Sequence, residues 1–207
     1  MDRRSAVRTT LTLLFLMGLV EQGQAQESLS TVIKRIQPAV VTIIAYDANG
    51  KSFQQGSGFF ITETDYLITN RHVLRGAYRA EVKTAEGKSY AIKSVVAEDK
   101  DRDLIKVVTD LPKESIQGVH IAKIAPEIGQ RVIVVGSPLG LEQSVSDGII
   151  SAVRDIPRIG KLLQITAPIS PGSSGSPVIN LQGEVLGVAT LQLLPGQNLN
   201  FAIPGEL

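Results

Sequence analysis

The pattern of apolar and polar positions changes its period once along the chain, near residue 38. Before that point Leu29, Val32, Ile33 and Ile36 fall at helical spacing within residues 28–37, and Pro38 ends the pattern. After it, Val40-Val41-Thr42-Ile43-Ile44-Ala45-Tyr46 is rich in β-branched residues and runs into the turn Asp47-Ala48-Asn49-Gly50, which predicts a strand and a reversal. Further short strands are predicted over residues 58–61, 66–69, 80–84, 90–97, 104–108, 119–121, 131–135, 143–150, 162–166, 177–180, 185–190 and 199–202. No stretch of helical period separates them, so the chain reads as all-β after a short N-terminal helix. About a dozen strands are too many for one small barrel, and two packed barrels accommodate them. The boundaries fall at about residues 38–110 and 119–207, with 111–118 as the connection.

The first 25 residues stand apart from this pattern. Arg3, Arg4 and Arg8 give a positive start, and Leu11 to Val20 is apolar apart from Thr12 and Gly18. Gly23-Gln24-Ala25 then places small residues where a signal peptidase reads, so residues 1–25 are expected to be a signal peptide and residues 26–207 the working domain. An apolar run of that length is too short to span a bilayer, so no stable membrane anchor is expected. The expected compartment is outside the cytoplasm, periplasmic or secreted.

Composition narrows the chemistry. Apolar residues make up 43% and charged residues 20% of the 207, a globular balance, and 19 glycines with 10 prolines supply frequent turns. The full chain holds 21 basic and 20 acidic residues; setting aside Arg3, Arg4, Arg8, Asp2 and Glu21 leaves 18 of each. That balance gives no electrostatic reason to expect nucleic acid or anionic lipid as a partner. There are no cysteines, which excludes a cysteine nucleophile, a disulfide framework and cysteine-ligated zinc. The two histidines, His72 and His120, lie far apart with no metal-binding spacing, so neither metal nor cofactor is expected.

The residues suited to chemistry are few. Pro171-Gly172-Ser173-Ser174-Gly175-Ser176-Pro177 offers a serine on a tight turn, where Gly172 admits unusual backbone angles. The Gly172 and Ser174 amides are placed to serve a developing oxyanion. A serine needs a base, and His72, where a strand gives way to polar residues, is the candidate. His120 alternates with apolar neighbours and reads as an outward-facing strand residue. The carboxylate that would orient the imidazole lies in Asp99-Lys100-Asp101-Arg102-Asp103. Asp103 is preferred because it abuts the apolar strand Leu104-Ile105-Lys106-Val107-Val108, with Asp101 as the alternative.

Taken in order, these segments resemble the HtrA/Deg-type serine proteases over nearly all of residues 26–207. Gly56-Ser57-Gly58-Phe59-Phe60-Ile61 with Tyr66-Leu67-Ile68-Thr69-Asn70-Arg71-His72-Val73 is similar to that family's GSGF…ILTNxHV block, and Asp103-Leu104-Ile105-Lys106-Val107 to its D-L-A block. Residues 135–141 and 144–151 resemble GNPxGL…TVTxGIVS, 171–177 resembles PGNSGGP, and 200–204 resembles GFAIP. The resemblance implies two six-stranded antiparallel barrels of the chymotrypsin/trypsin type. It also implies His72 as general base, Asp103 as its orienting partner, Ser174 as nucleophile, and the Gly172 and Ser174 amides as oxyanion hole. The implied reaction is endopeptidase cleavage of exported, unfolded or damaged polypeptides, by a protein that in this family often forms homotrimers. Ser173, Ser176 and Asn200 depart from the family pattern, and the sequence stops at Leu207, before the PDZ module that often follows in this family, as either a compact member or a fragment would. The substrate pocket is expected to involve Ile169, Asn200, Phe201 and Ala202, with no carboxylate and hence a preference for small aliphatic residues. The alternatives are an esterase with the same triad and a protease-fold binding or chaperone-like protein without turnover.

Overall fold

The computed structural model describes residues 27–62, 64–136, 144–190 and 200–205. The expected signal segment, residues 1–25, lies outside the described residues, as do Gln143 and Leu199 at the starts of two expected strands. Helix α1 (Leu29–Ile36) is capped by Ser28, whose side chain accepts from the Thr31 amide, and it passes into a 3-10 turn at Gln37–Ala39 that contains Pro38. Val32 and Ile36 are the buried positions of α1, as the helical spacing predicts.

Six strands then close one barrel. They are β1 (Val40–Tyr46), β2 (Ser52–Phe60), β3 (Leu67–Asn70), β4 (Arg79–Lys83), β5 (Ser89–Asp99) and β6 (Leu104–Thr109), in the spatial order β1-β2-β3-β6-β5-β4. Six more close the second barrel: β7 (Arg131–Gly136), β8 (Ser144–Ile156), β9 (Gly160–Ile165), β10 (Pro177–Ile179), β11 (Val185–Thr190) and β12 (Asn200–Pro204), ordered β10-β11-β12-β9-β8-β7. All the strand pairings are antiparallel. The expected all-β, double-barrel architecture is the one the chain adopts.

Three expected strands differ, and the one expected to end at Ile150 continues as β8 to Ile156. Residues 119–121 form only isolated bridges, Val119 with Ile61 and Ile121 with Val185. The segment threads between the barrels, giving one ladder step to each. Gly118 allows that path, since a Cβ there would lie 2.4 Å from the Thr62 amide nitrogen. Strand β2 is longer than predicted, because its polar first half, Ser52–Gln55, pairs with β1 despite lacking apolar alternation.

The core has three parts. Val41, Ile43, Phe60, Leu67, Val82 and Val107 fill the first barrel, and Val132, Val134, Ile150, Leu163, Val178 and Ala202 fill the second. Between them lies a third cluster that joins Val32 and Ile36 of α1 to Phe59, Ile68, Ile133, Leu162 and Phe201. Burying this shared layer fixes how the barrels meet, and so which loops face one another.

Candidate active site

His72 is delivered by the end of a strand. β3 stops at Asn70, and the one-turn helix α2 (Arg71–Leu74) begins beside it, burying His72 and Val73. Asp103 arrives from the β5–β6 hairpin. There the Asp99 carboxylate accepts the amides of Asp101 and Arg102 at 3.1 and 2.9 Å, tightening the reversal. Asp103 itself takes a left-handed backbone, φ 58°, a conformation Asp tolerates better than most residues but at some cost. That kink turns the carboxylate back onto α2. Its Oδ1 accepts the His72 amide at 2.8 Å, and its Oδ2 lies 2.5 Å from His72 Nδ1. The Asp103 carbonyl accepts from the Arg71 amide at 2.9 Å and from Asn70 Nδ2 at 3.2 Å.

With side-chain exposures of 4% for His72 and 19% for Asp103, this pair is largely shielded from water and its hydrogen bonds are correspondingly strong. Asp101, the alternative carboxylate, is exposed. Arg71 Nε bonds Glu98 Oε2 at 2.9 Å. That bond, with a smaller contribution from Lys100, holds the Glu98 carboxyl below its usual range.

The serine turn is organised by backbone. The approach, residues 166–170, is tied to β8: the Ile149 amide bonds Thr166 Oγ1 at 2.9 Å, and Ser146 Oγ bonds the Pro168 carbonyl at 2.8 Å. Within the turn the Ser173 amide donates to the Ser170 carbonyl and the Ser176 amide to the Ser173 carbonyl, at 2.9 and 3.0 Å. The Gly175 amide donates to the Ala189 carbonyl at 2.9 Å. The Gly172 and Ser174 amides have no hydrogen-bond partner among the described residues. Two free donors therefore flank one that is turned away, the arrangement an oxyanion hole requires.

One residue joins the halves. Ser57 on β2 donates its amide to the Ser174 carbonyl at 2.8 Å and its hydroxyl to the Gly172 carbonyl at 2.8 Å. Its own carbonyl accepts from Thr69 Oγ1 at 2.7 Å, three residues before His72. Beside it, a Cβ on Gly56 would lie 2.6 Å from Val73 and 3.1 Å from the Ser174 carbonyl, so β2 is gripped between α2 and the serine turn. No hydrogen bond joins Ser174 Oγ to His72 in this structure. Such contacts are commonly long in unliganded sites. Sequence reasoning missed Ser57 and Thr69; their only signal was their place within the resembled blocks.

The expected pocket residues divide. Ile169 is partly buried and packs on the core of the second barrel, to which Ala202 also belongs, and Asn200 opens β12 beside Ile165. Phe201 does not join them. It is 2% exposed and lies in the layer between the barrels, because strand alternation turns it to the face opposite Ala202. His120 is exposed, and its backbone carbonyl accepts from the Val185 amide. Ser176 is fully buried behind the turn. Its hydroxyl points at Gly136, where a Cβ would lie 2.2 Å away, so the glycine provides the space that the extra side chain needs. Among the described residues no group of three His, Asp or Glu side chains is placed to hold a metal ion, and no helix is long and apolar enough to cross a membrane.

Comparison with known proteins points the same way. Residues 56–188 match the family described as the trypsin-like peptidase domain. The chain is 33% identical over 196 residues to the serine protease HTRA1A of Danio rerio, covering 86% of this chain and 39% of that protein. It is 39% identical over 157 residues to a probable periplasmic serine endoprotease DegP-like of Halomonas elongata, covering 72% and 32%. The chain thus spans well under half the length of these relatives. Among solved structures, the serine endoprotease from Yersinia pestis matches with TM-score 0.72 at 31% identity, over 87% of this chain and 64% of that one. The HtrA-type protease AlgW with tripeptide matches with TM-score 0.75 at 27% identity, over 87% and 60%.

Proposed function

The chain belongs to the HtrA-type trypsin-like serine proteases, and from that premise we propose that it is an exported endopeptidase using His72, Asp103 and Ser174. Ser174 Oγ attacks the carbonyl carbon of a peptide bond, and His72 takes the hydroxyl proton on Nε2. Asp103, accepting from Nδ1, holds the ring and stabilises the imidazolium that forms. The carbonyl oxygen becomes an oxyanion and is met by the Gly172 and Ser174 amides, which cost nothing to reorient because they stand free. The tetrahedral intermediate collapses as His72 returns the proton to the leaving amine, which departs and leaves an acyl-enzyme on Ser174. Water, deprotonated by the same imidazole, then releases the new carboxyl terminus and restores Ser174.

What supports this reading most is the pair of unpartnered amides at Gly172 and Ser174, set on a turn tied through Ser57 to the Asp103–His72 pair. The substrate is an extended segment of an unfolded polypeptide. Ile169, Asn200 and Ala202 bring no carboxylate to the pocket, so cleavage should follow small aliphatic residues.

One digestion tests the whole. Wild type should degrade an unfolded protein, label with a fluorophosphonate, and leave fragments ending in Val, Ala or Ile. Ser174→Ala should lose both activities by at least about a thousandfold while Ser173→Ala keeps most of them. Labelling that survives Ser174→Ala, or cutting dominated by Lys and Arg, would count against the site or the pocket respectively.

A further inference from the structure

Ser57 is wholly buried, and it contacts the serine turn at two carbonyls. The amide bond to the Ser174 carbonyl could be made by any residue but proline. The hydroxyl bond to the Gly172 carbonyl is specific to this side chain.

That carbonyl belongs to the peptide plane between Gly172 and Ser173. The far end of the same plane, the Ser173 amide, donates to the Ser170 carbonyl. The plane is therefore held at both ends, by its own loop at the amide and by the other barrel at the carbonyl. It also lies directly between the two free amides. The Gly172 N–H belongs to the peptide before this plane and the Ser174 N–H to the peptide after it, so any net change in ψ of Gly172 and φ of Ser173, the torsions at its two ends, re-aims one amide relative to the other. Gly172, at φ 95° and without a Cβ, offers little resistance of its own. The restraint on the carbonyl end comes from outside the turn.

We propose that Ser57 is a positioning residue whose hydroxyl fixes the Gly172–Ser173 peptide and so keeps the two oxyanion-hole amides converged. The proposal rests on the acyl-transfer reading above. Its signature is selective: a group that only aims the hole stabilises the tetrahedral species and leaves ground-state binding alone. Thr69 supports it by holding the Ser57 backbone, since its hydroxyl donates to the Ser57 carbonyl.

The test is Ser57→Ala, which keeps the backbone bonds and deletes the hydroxyl. Wild type and variant are compared on a cleavable peptide, on the matching peptide aldehyde, which adds to Ser174 as a tetrahedral adduct, and on the peptide alcohol, which does not. The expected result is a fall in kcat of about tenfold to a hundredfold, with aldehyde affinity falling in parallel. KM and alcohol affinity should stay within about twofold. Wild-type kcat and aldehyde affinity in the variant would overturn the proposal. Equal losses for aldehyde and alcohol would overturn it too, by showing a general loosening of the site. Ser174→Ala runs alongside: if that variant still hydrolyses peptide, the acyl-transfer reading itself fails, whatever Ser57→Ala does. Should Ser57→Ala not fold, Ser57→Cys takes its place. It keeps the volume but offers a weaker donor, and a wild-type aldehyde affinity there overturns the proposal while a selective loss supports it.

Discussion

His72 and Asp103 are joined by side-chain hydrogen bonds between a helix and a hairpin of the first barrel, whereas Ser174 is held by main-chain bonds and by glycines in the second. The first half depends on which atoms are present. Asp103 needs two acceptor oxygens, one for the His72 amide and one for Nδ1, and a backbone kink to aim them. The second half depends on which atoms are missing. Gly175 sits at φ 89°, where a Cβ would fall 2.0 Å from the Ser57 carbonyl oxygen and 2.4 Å from Thr69 Oγ1. The two halves should therefore fail differently. Polar substitution in the first should stop chemistry and spare the fold, while adding bulk in the second should damage both.

Asp103→Asn should have the largest effect. The amide has one acceptor where the carboxylate has two, and Asn tolerates the left-handed backbone well. If its oxygen keeps the His72 amide, its NH2 faces Nδ1 and forces that nitrogen to accept. The proton then sits on Nε2, where the base should have a lone pair. Hydrolysis should fall by on the order of 10⁴ with the thermal midpoint little changed. Steady-state kinetics and a thermal melt on one preparation check both halves of the statement. A large loss of stability would show that the first half is structural after all.

Gly175→Ala addresses the second half and should show the opposite balance. The strained φ and the two close contacts together should cost at least about 3 kcal/mol of stability. Activity should fall as well, because relief requires moving the turn away from Ser57. Chemical denaturation gives the stability change, and an unchanged midpoint would mean that the contacts at Gly175 relax cheaply.

The two halves also differ in how far the residues alone disclosed them. The strand ends that carry His72 and Asp103 could be read from local signals: an apolar run yielding to polar residues at Asn70-Arg71, and an acidic cluster abutting Leu104. The serine turn could be read as a turn from its glycines and serines. The tie between them could not. Ser57 bonds Gly172 across 115 positions of sequence, and nothing in a Gly-Ser-Gly triplet tells where its hydroxyl goes. For the same reason the facing of Phe201 was not legible. Its neighbour Ala202 faces the second barrel's core, and only the packing of the two barrels decides that Phe201 faces the other way. The strand at residues 119–121 was over-read because an apolar alternation three residues long fits a bridge as well as a ladder.

The smallest expected effect lies within the second half. Ser176 adds a side chain to a region otherwise defined by small residues. Its Cβ is accommodated by Gly136, but its hydroxyl is buried with no hydrogen-bond partner among the described residues. Burying a hydroxyl unpaired costs about 1–3 kcal/mol, whereas its main-chain bonds to Ser173 and Ala189 are independent of the side chain. Ser176→Ala therefore removes the cost and leaves the turn alone. Against this stands the packing lost with one oxygen atom, so the net expectation is a gain of about 1 kcal/mol, or roughly 2–4 °C in Tm for a domain of this size. Peptide hydrolysis should stay within about twofold of wild type, since the Gly172 and Ser174 amides are not touched. Ser176→Gly, which brings the turn to the resembled family pattern, removes the same hydroxyl but frees the backbone. It should thus be less stable than Ser176→Ala by about 0.5–1 kcal/mol. The ordering of the three proteins in one thermal melt is the measurement. If Ser176→Ala melts below wild type, the hydroxyl has found a partner.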